Sequence, residues 1–279
     1  MISALLSNGK VITSSEYNPD THGHRLSCID CKVPVVFVSA TDLVKGHFKT
    51  TGKHESKHST TCGFFKPLSF EESIQKIREY QDELLDKGIK EQVLKLNLSK
   101  LDPDYVPKVI ERDETNTKPK EVDDSKVKVK QESDTPQSLS SLKSVVNLLS
   151  SYELDVLSTI LVQVKGKKIP LSSIVLNQEQ AHRLLWGSEQ IDKMGYFVYG
   201  EIESVIRREK VIYVVFKPLN QIRFSLVVFE KYFSHFTYKD QELMGKRILA
   251  YGFLQKNTYK EKNTTEMSIK SNKYIEFLA

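Results

Sequence analysis

Three cysteines are all the chain contains, and they fall within 35 residues of one another in the stretch "CIDCKVPVVFVSATDLVKGHFKTTGKHESKHSTTC". Cys28 and Cys31 form a C-x2-C pair, the spacing that lets two thiolates reach one ion from a tight knuckle. His47, His54, His58 and Cys62 supply further nitrogen and sulfur donors. Structural zinc is almost always tetrahedral with such donors, so the expected cofactor is one structural Zn(2+) per chain. Cys62 is the third expected ligand. The fourth is His47, in "GHF", or His58, which forms an H-x3-C pair with Cys62. Four such ligands leave no open position for a reactive water, so the site is expected to staple rather than to catalyse. Buried free thiols are the competing reading of cysteines, but packing alone gives no reason for a C-x2-C pair with a third Cys and several histidines close by.

A second set of residues offers binding chemistry. Tyr213, Phe216 and Phe224 lie on two β-like stretches, "KVIYVVFKP" and "IRFSLVVFE", with Arg207, Arg208, Lys210, Lys217 and Arg223 nearby. Cations that neutralise phosphates beside aromatics that stack on bases are the equipment of single-strand binding. Alternation limits the idea. In the first stretch Val211, Tyr213 and Val215 share one face and Ile212, Val214 and Phe216 the other, so only one set can line a core. The second stretch opposes Arg223, Ser225 and Val227 to Phe224, Leu226 and Val228, which places Arg223 outward. Catalytic signatures are missing: there is no phosphate loop, no dinucleotide glycine fingerprint and no nucleophile elbow. His182 and His235 read as satisfied polar residues, and the expectation is a non-enzymatic protein.

The elements that must position these groups divide the chain. At 279 residues it is long enough for about two domains. Around Asn8-Gly9, two short apolar runs predict a hairpin. "VPVVFVSA" is a strand, and "SFEESIQKIREYQDELLDKG" a helix with a capping box at Ser69 and Glu72, an apolar stripe of Ile74, Ile77, Leu84 and Leu85, and a stop at Gly88. A second helical stretch, "IKEQVLKLNLS", follows. Residues 111–138 lack aromatics and are dense in charge, which predicts a flexible linker. Beyond it come a helix, "LSSLKSVVNLLSSYEL", a hairpin turning at Lys165 to Lys168, and a short helix that carries Trp186. Five strands then run to the end, with "KYFSHFTYKDQELMG" as a helix between the third and fourth.

The first 65 to 70 residues resemble the N-terminal zinc-binding region of the competence protein CoiA family, through "CIDC", "VPVVF", the "HF" of His47 and Phe48, and "CGFF". The resemblance implies Cys28, Cys31, His47 and Cys62 as ligands, with His58 the substitute. That family often has a second His where this chain has Thr50. The family's nuclease domain has no counterpart, since the E-x-K at Glu55 to Lys57 lies inside the metal loop. Residues 196–279 resemble OB-fold nucleic-acid-binding domains in element order, with Gly200 in the first strand allowing the sheet to bend. The expected layout is therefore α+β: a zinc-binding β-module (1–68), a helical segment (69–110), a flexible linker (111–138), a helix and hairpin extension (139–195), and a five-stranded OB-fold barrel (196–279).

Charge is uneven. Residues 1–70 carry 8 basic and 5 acidic side chains, 71–150 carry 14 and 17, and 151–279 carry 19 and 14. Mildly basic ends permit phosphate contacts without requiring them. Lys45, Lys49, Lys53 and Lys57 could add such contacts in the metal loop. The N-terminus has no secretory leader and no apolar run approaches the roughly 20 residues of a membrane span, so a soluble cytoplasmic protein with no membrane partner is expected. The expected role is binding of single-stranded DNA in preference to RNA. Its settings would be replication, recombination, DNA uptake or phage defence in a bacterium or mobile element. The alternative is an adaptor whose zinc module and OB-like barrel recruit a helicase or nuclease.

Overall fold

A computed structural model describes residues 1–86, 91–107, 137–164, 166–191, 194–259 and 262–278. Most of the expected linker, residues 111–136, lies outside them, as does Gly88. The fold is α+β, and among the described residues no helix is long and apolar enough to cross a membrane. The chain forms two compact units that interleave in sequence: Met1–Leu94 with Leu149–Ser173, and Lys95–Leu148 with Ile174–Ala279.

The first unit opens with a five-stranded sheet in the order β2-β1-β3-β4-β5, made of β1 (Ser3–Leu6), β2 (Val11–Thr13), β3 (Leu26–Ser27), β4 (Pro34–Val38) and β5 (His47–Lys49). Asn8-Gly9 makes the first turn as expected. Gly9 has φ +81, where a side chain would be strained, and Asn8 Oδ1 accepts from Lys10 N at 3.0 Å. The inward faces of these short strands bring together Ala4, Leu6, Ile12, Leu26, Val35 and Phe48 with Tyr17, Cys28 and Cys62. So small a core suits a module that needs a further crosslink. Helix α1 (Phe70–Asp86) starts at the predicted capping box: Glu72 N donates to Ser69 Oγ at 3.3 Å and Ser69 N donates to a Glu72 carboxylate oxygen at 2.8 Å. Ile74, Ile77 and Tyr80 are its buried stripe. Leu84 and Leu85 lie outside the residues whose side chains are described.

Two further expectations need correction. The stretch expected to be a second helix holds a strand, Gln92–Leu96, followed by a 3-10 turn, Ser99–Leu101. Gln92 N donates to Thr159 O at 3.0 Å, and Leu94 is buried between exposed or half-exposed neighbours, the period of two that a strand produces. The later hairpin pairs Leu161–Val164 with Lys167–Pro170, so Lys167 and Lys168 belong to a strand, while Lys165 lies outside the described residues.

The second unit is dominated by a curled, mostly antiparallel sheet. Its first strand, Tyr196–Arg207, is long enough to serve two neighbours. Tyr196–Glu201 pair with Arg247–Gly252, and Ile202–Arg207 pair with Val211–Phe216 across a register shift between Ile202 and Ser204. Such a bulge increases local twist and lets the two halves of the strand face different partners. Gly200 lies just before it for a steric reason the sequence did not reveal: a Cβ there would come within 2.6 Å of the Phe216 ring. Val211–Phe216 continues to Phe224–Phe229, which pairs in parallel with Lys262–Ser268. Leu254–Tyr259 pairs with Lys262–Ser268 and follows Arg247–Gly252 after the single residue Phe253, so the expected fourth strand is broken in two.

The expected last strand is broken as well, into Lys262–Ser268 and Ile275–Phe277, the latter on the edge beside Arg247–Gly252. In place of one helix between the third and fourth strands there are a 3-10 segment, Glu230–His235, and a single turn, Asp240–Leu243. Side chains from elsewhere capture the backbone between them. Thr237 N donates to Asn272 Oδ1 at 3.0 Å and Arg207 Nη2 donates to Tyr238 O at 2.7 Å, leaving neither group for a helix ladder. The Trp186 helix forms as expected over Gln178–Trp186, with an Asn177 and Gln180 capping box.

Candidate functional site

The C-x2-C pair sits in a knuckle between β3 and β4. Cys28 N donates to Val33 O at 2.8 Å, Lys32 N donates back to Cys28 O at 3.1 Å, and Lys32 takes φ +60 to close the turn. The loop after β5 is held by Ser56, whose hydroxyl donates to Pro34 O at 2.7 Å and accepts from Thr51 N at 2.9 Å. That loop delivers His58. A turn from Ser59 follows, with Cys62 N donating to Ser59 O at 3.0 Å, and brings Cys62 beneath the knuckle.

One ligand atom from each of Cys28, Cys31, His58 and Cys62 lies within 4.8 Å of all the others, a group that could hold a metal ion. Cys28 Sγ and Cys62 Sγ are 3.8 Å apart, and His58 Nδ1 is 3.4 Å from both Cys31 Sγ and Cys62 Sγ. Cys28 and Cys62 are buried while Cys31 and His58 are half-buried, so the donors converge from a dry side and open to solvent on the other. No disulfide links the three cysteines.

His47 is therefore the wrong fourth residue. It stands in β5, where Nδ1 meets Lys45 O at 3.0 Å, and strand pairing with Val38 fixes it away from the sulfurs. His58 is delivered instead from the polar loop that Ser56 holds, in the H-x3-C spacing with Cys62. His54 is exposed with φ +47 and takes no part. Lys45, Lys49, Lys53 and Lys57 are exposed around the loop.

Protonation fits ligation. A hydrogen bond from Cys62 holds the Cys28 thiol below its ordinary range despite burial, and the same contact pushes the Cys62 thiol well above its own. Burial pushes His58 down, keeping it neutral as a ligand must be.

Asp30, inside the knuckle, is the residue that sequence reasoning missed. Its Oδ2 accepts from Gly63 N at 2.7 Å and from Tyr80 Oη at 2.7 Å, and Lys76 Nζ stands 3.7 Å away. Burial pushes its carboxyl up, but the Tyr80 and Gly63 hydrogen bonds and the Lys76 charge outweigh that and hold it below the usual carboxylate range. Its place between the two cysteines of the C-x2-C was the only signal available.

The nucleic-acid candidates divide sharply. Phe216 and Phe224 are fully buried, their rings 5.0 Å apart inside the curled sheet, so neither can stack on a base. The inner face is the Ile212, Val214, Phe216 set, and a base would have to enter the core to meet it. Tyr213 is half-exposed on the outer face, with the Arg208 guanidinium 5.9 Å from its ring centre. Arg208, Lys210 and Arg223 are exposed. Arg207 is engaged by Asp240 at 2.7 Å, and Lys217 by Glu201 at 3.5 Å. Register adds two residues that were not singled out: Ile206 pairs across from Tyr213, and Phe229 across from Val211, and these two are 43% and 48% exposed. Extending the outward series Arg223, Ser225, Val227 by one step would have found Phe229.

No protein-family model matches the chain, and no curated protein matches it. Among solved structures, the Entamoeba histolytica asparaginyl-tRNA synthetase in complex with asparaginyl-adenylate is similar at 15% identity over 38% of this chain, with a TM-score of 0.21. The match spans 23% of the synthetase chain. At that level of likeness, function has to be read from the sites themselves.

Proposed function

We propose that this is a non-enzymatic nucleic-acid-binding protein in which zinc staples the N-terminal module and an OB-type barrel in the second unit holds single strands on its outer face. Zinc is supported by the donor set and its spacing. A tetrahedron with metal–sulfur bonds of about 2.3 Å and metal–nitrogen bonds of about 2.0 Å has S···S edges near 3.8 Å and S···N edges near 3.5 Å. The 3.8 and 3.4 Å separations agree with those edges. Thiolates and an imidazole also favour zinc over calcium or magnesium, which take oxygen. The zinc would supply folding free energy to a small core, as in the CoiA-like module that the sequence resembles, with His58 in place of His47.

The barrel reading is supported by its pairing. The first strand pairs with the second and fourth, the second with the third, the third in parallel with the fifth, and the fourth with the fifth. That order of neighbours matches the one expected of an OB barrel, with the fourth and fifth strands each broken in two. The observation that carries the binding function is that Ile206, Tyr213 and Phe229 stand exposed or half-exposed on the outer face, although Val227 across from Tyr213 is buried, with Arg208, Lys210 and Arg223 also exposed. Two rings, Tyr213 on the second strand and Phe229 on the third, with exposed cations nearby suit stacked bases with their phosphates alongside. DNA replication, recombination, uptake or phage defence would use such a protein.

Fluorescence anisotropy with single-stranded and duplex oligonucleotides at two salt concentrations tests this. Binding should favour single strands, weaken as salt rises and fall in Tyr213→Ala. Absence of binding at low salt would refute it. The adaptor reading has one observation in its favour: Val211 and Val215 extend the same face, so its centre is more apolar than basic. A protein ligand would then bind with little salt dependence.

A further inference from the structure

Asp30 bonds to more than the metal loop. Its Oδ2 accepts from Gly63 N, directly after ligand Cys62, and from Tyr80 Oη on α1. Phe64 lies between ligand candidate His58 and Tyr80: its ring is 6.2 Å from that of His58 and 6.0 Å from that of Tyr80, nearly parallel to the latter at 12°. Gly63 is buried with no room to spare, since a Cβ would come within 2.6 Å of Tyr80 Oη and 2.9 Å of Leu154 Cδ1. Residues 62–64 are thus at once the end of the metal-binding loop and the seat of α1. Position is all that couples them: a tetrahedral ion fixes Cys62 to a few tenths of an ångström, and the seat moves with it.

We propose that Asp30 is a positioning residue that couples metal occupancy to the docking of α1, so that the module responds to loss of its ion by releasing that helix. The inference rests on the metal-centre reading above. With the ion bound, Cys62 is drawn to the knuckle, Gly63 N–H reaches Asp30, and Tyr80 closes onto the same oxygen. Without it, the sulfurs no longer share a fixed centre and the Gly63 and Phe64 seat loses its anchor. Coupling is reciprocal, so a helix that docks less well must also weaken metal binding. Outer partners of metal sites commonly change affinity about 10- to 100-fold when removed. Lys76, 3.7 Å from Asp30 and 2.9 Å from Glu79, offsets the carboxylate charge from the helix side.

The test uses the full chain loaded with zinc. Release to a chromophoric chelator, 4-(2-pyridylazo)resorcinol, is timed for wild type, Asp30→Ala and Tyr80→Phe, and hydrogen exchange of α1 amides is followed before and after removal of zinc. The coupling predicts release about 10-fold or more faster in both variants. It also predicts that exchange of residues 74–81 speeds up on zinc removal while β1 and β2 amides change less. Tyr80→Phe keeps the ring and its packing, so it stays informative if Asp30→Ala folds poorly. One zinc per chain with unchanged release in Tyr80→Phe and unchanged α1 exchange on removal would overturn the coupling alone. Failure to bind zinc at all would overturn the metal centre, and the coupling with it.

Discussion

Tyr80 Oη donates to Asp30 Oδ2 at 2.7 Å, and the carboxylate that receives it sits inside the C-x2-C knuckle. A phenol on a helix 50 residues away is thereby fastened to the metal-binding turn. Burial pushes the Asp30 carboxyl up, but this bond with that from Gly63 and the Lys76 charge holds it below its ordinary range, while burial first and the Asp30 bond second push the Tyr80 phenol well above its own. In a module whose sheet is built from strands of two to five residues, such a tie replaces core that the chain lacks.

The crowding at Gly63 gives a direct consequence. Gly63→Ala must displace both the Tyr80 hydroxyl, the nearer of the two, and Leu154, and overpacking of this kind costs about 1 to 3 kcal/mol. Removing the hydroxyl makes room, so Gly63→Ala in a Tyr80→Phe background should cost less than in wild type. Urea denaturation of the four proteins in a double-mutant cycle measures the difference. Strict additivity would mean that the two groups do not meet.

Ligand choice can be decided by mass and metal content together. His58→Ala and Cys62→Ser should each lose the roughly stoichiometric zinc that wild type retains after dialysis, whereas His47→Ala should keep it. Native mass spectrometry reads the bound ion on the intact chain. Zinc retained by His58→Ala and lost from His47→Ala would reverse the assignment.

Asp155 gives a pH-dependent prediction. It is fully buried and its Oδ2 accepts from Ile2 N at 2.8 Å and Ser3 N at 2.6 Å, which hold the start of β1. Burial, with the nearby Glu153 charge, pushes its carboxyl above the ordinary value. The folded pKa therefore exceeds the unfolded one of about 3.9, and the native state keeps a proton that the unfolded chain releases. Asp155 contributes fully below that unfolded value and loses stability as pH rises through the folded one. Asn can accept from both amides without ever carrying the charge. Asp155→Asn should gain on wild type as pH goes from 4.5 to 8, while Asp155→Ala leaves two buried N–H groups unpaired, at about 1 to 3 kcal/mol each. Urea midpoints across that range check both. A pH-independent gap between Asp155→Asn and wild type would show that the carboxyl titrates alike folded and unfolded.

What the sequence disclosed follows from the range of the interactions concerned. The Asn8-Gly9 turn, the Ser69 and Glu72 capping box and the C-x2-C knuckle are decided within four residues, and each is where its pattern places it. Alternation along Val211–Phe216 correctly separated an inner from an outer face, but it could not say which was which. Assigning Phe216 and Phe224 to bases failed there, because their neighbours across the sheet, and not their own strands, bury them. His58 over His47 was likewise a matter of which loop Ser56 folds back. The helix expected around Phe236 was undone by bonds to Asn272 and Arg207, partners about 30 or more residues distant that no local propensity reports.

The inner and outer aromatics of the second unit should now behave as opposites. Phe216 packs on Phe224 and against Gly200, so Phe216→Ala removes a fully buried ring and should cost about 3 to 5 kcal/mol of stability. Tyr213→Ala and Phe229→Ala lie on the open face and should leave thermal unfolding within about 1 kcal/mol of wild type, since surface changes away from special contacts are usually small. In oligonucleotide binding the order reverses. Each base stacked on an aromatic is worth about 1 to 3 kcal/mol, so Tyr213→Ala or Phe229→Ala should weaken single-strand binding about 5- to 150-fold, while the folded fraction of Phe216→Ala binds as wild type does. Arg208→Ala should reduce the slope of affinity against salt by about one phosphate contact. Thermal melts and anisotropy on the same preparations separate the two effects. Normal binding by a Tyr213→Ala, Phe229→Ala double variant would take the nucleic acid off this face.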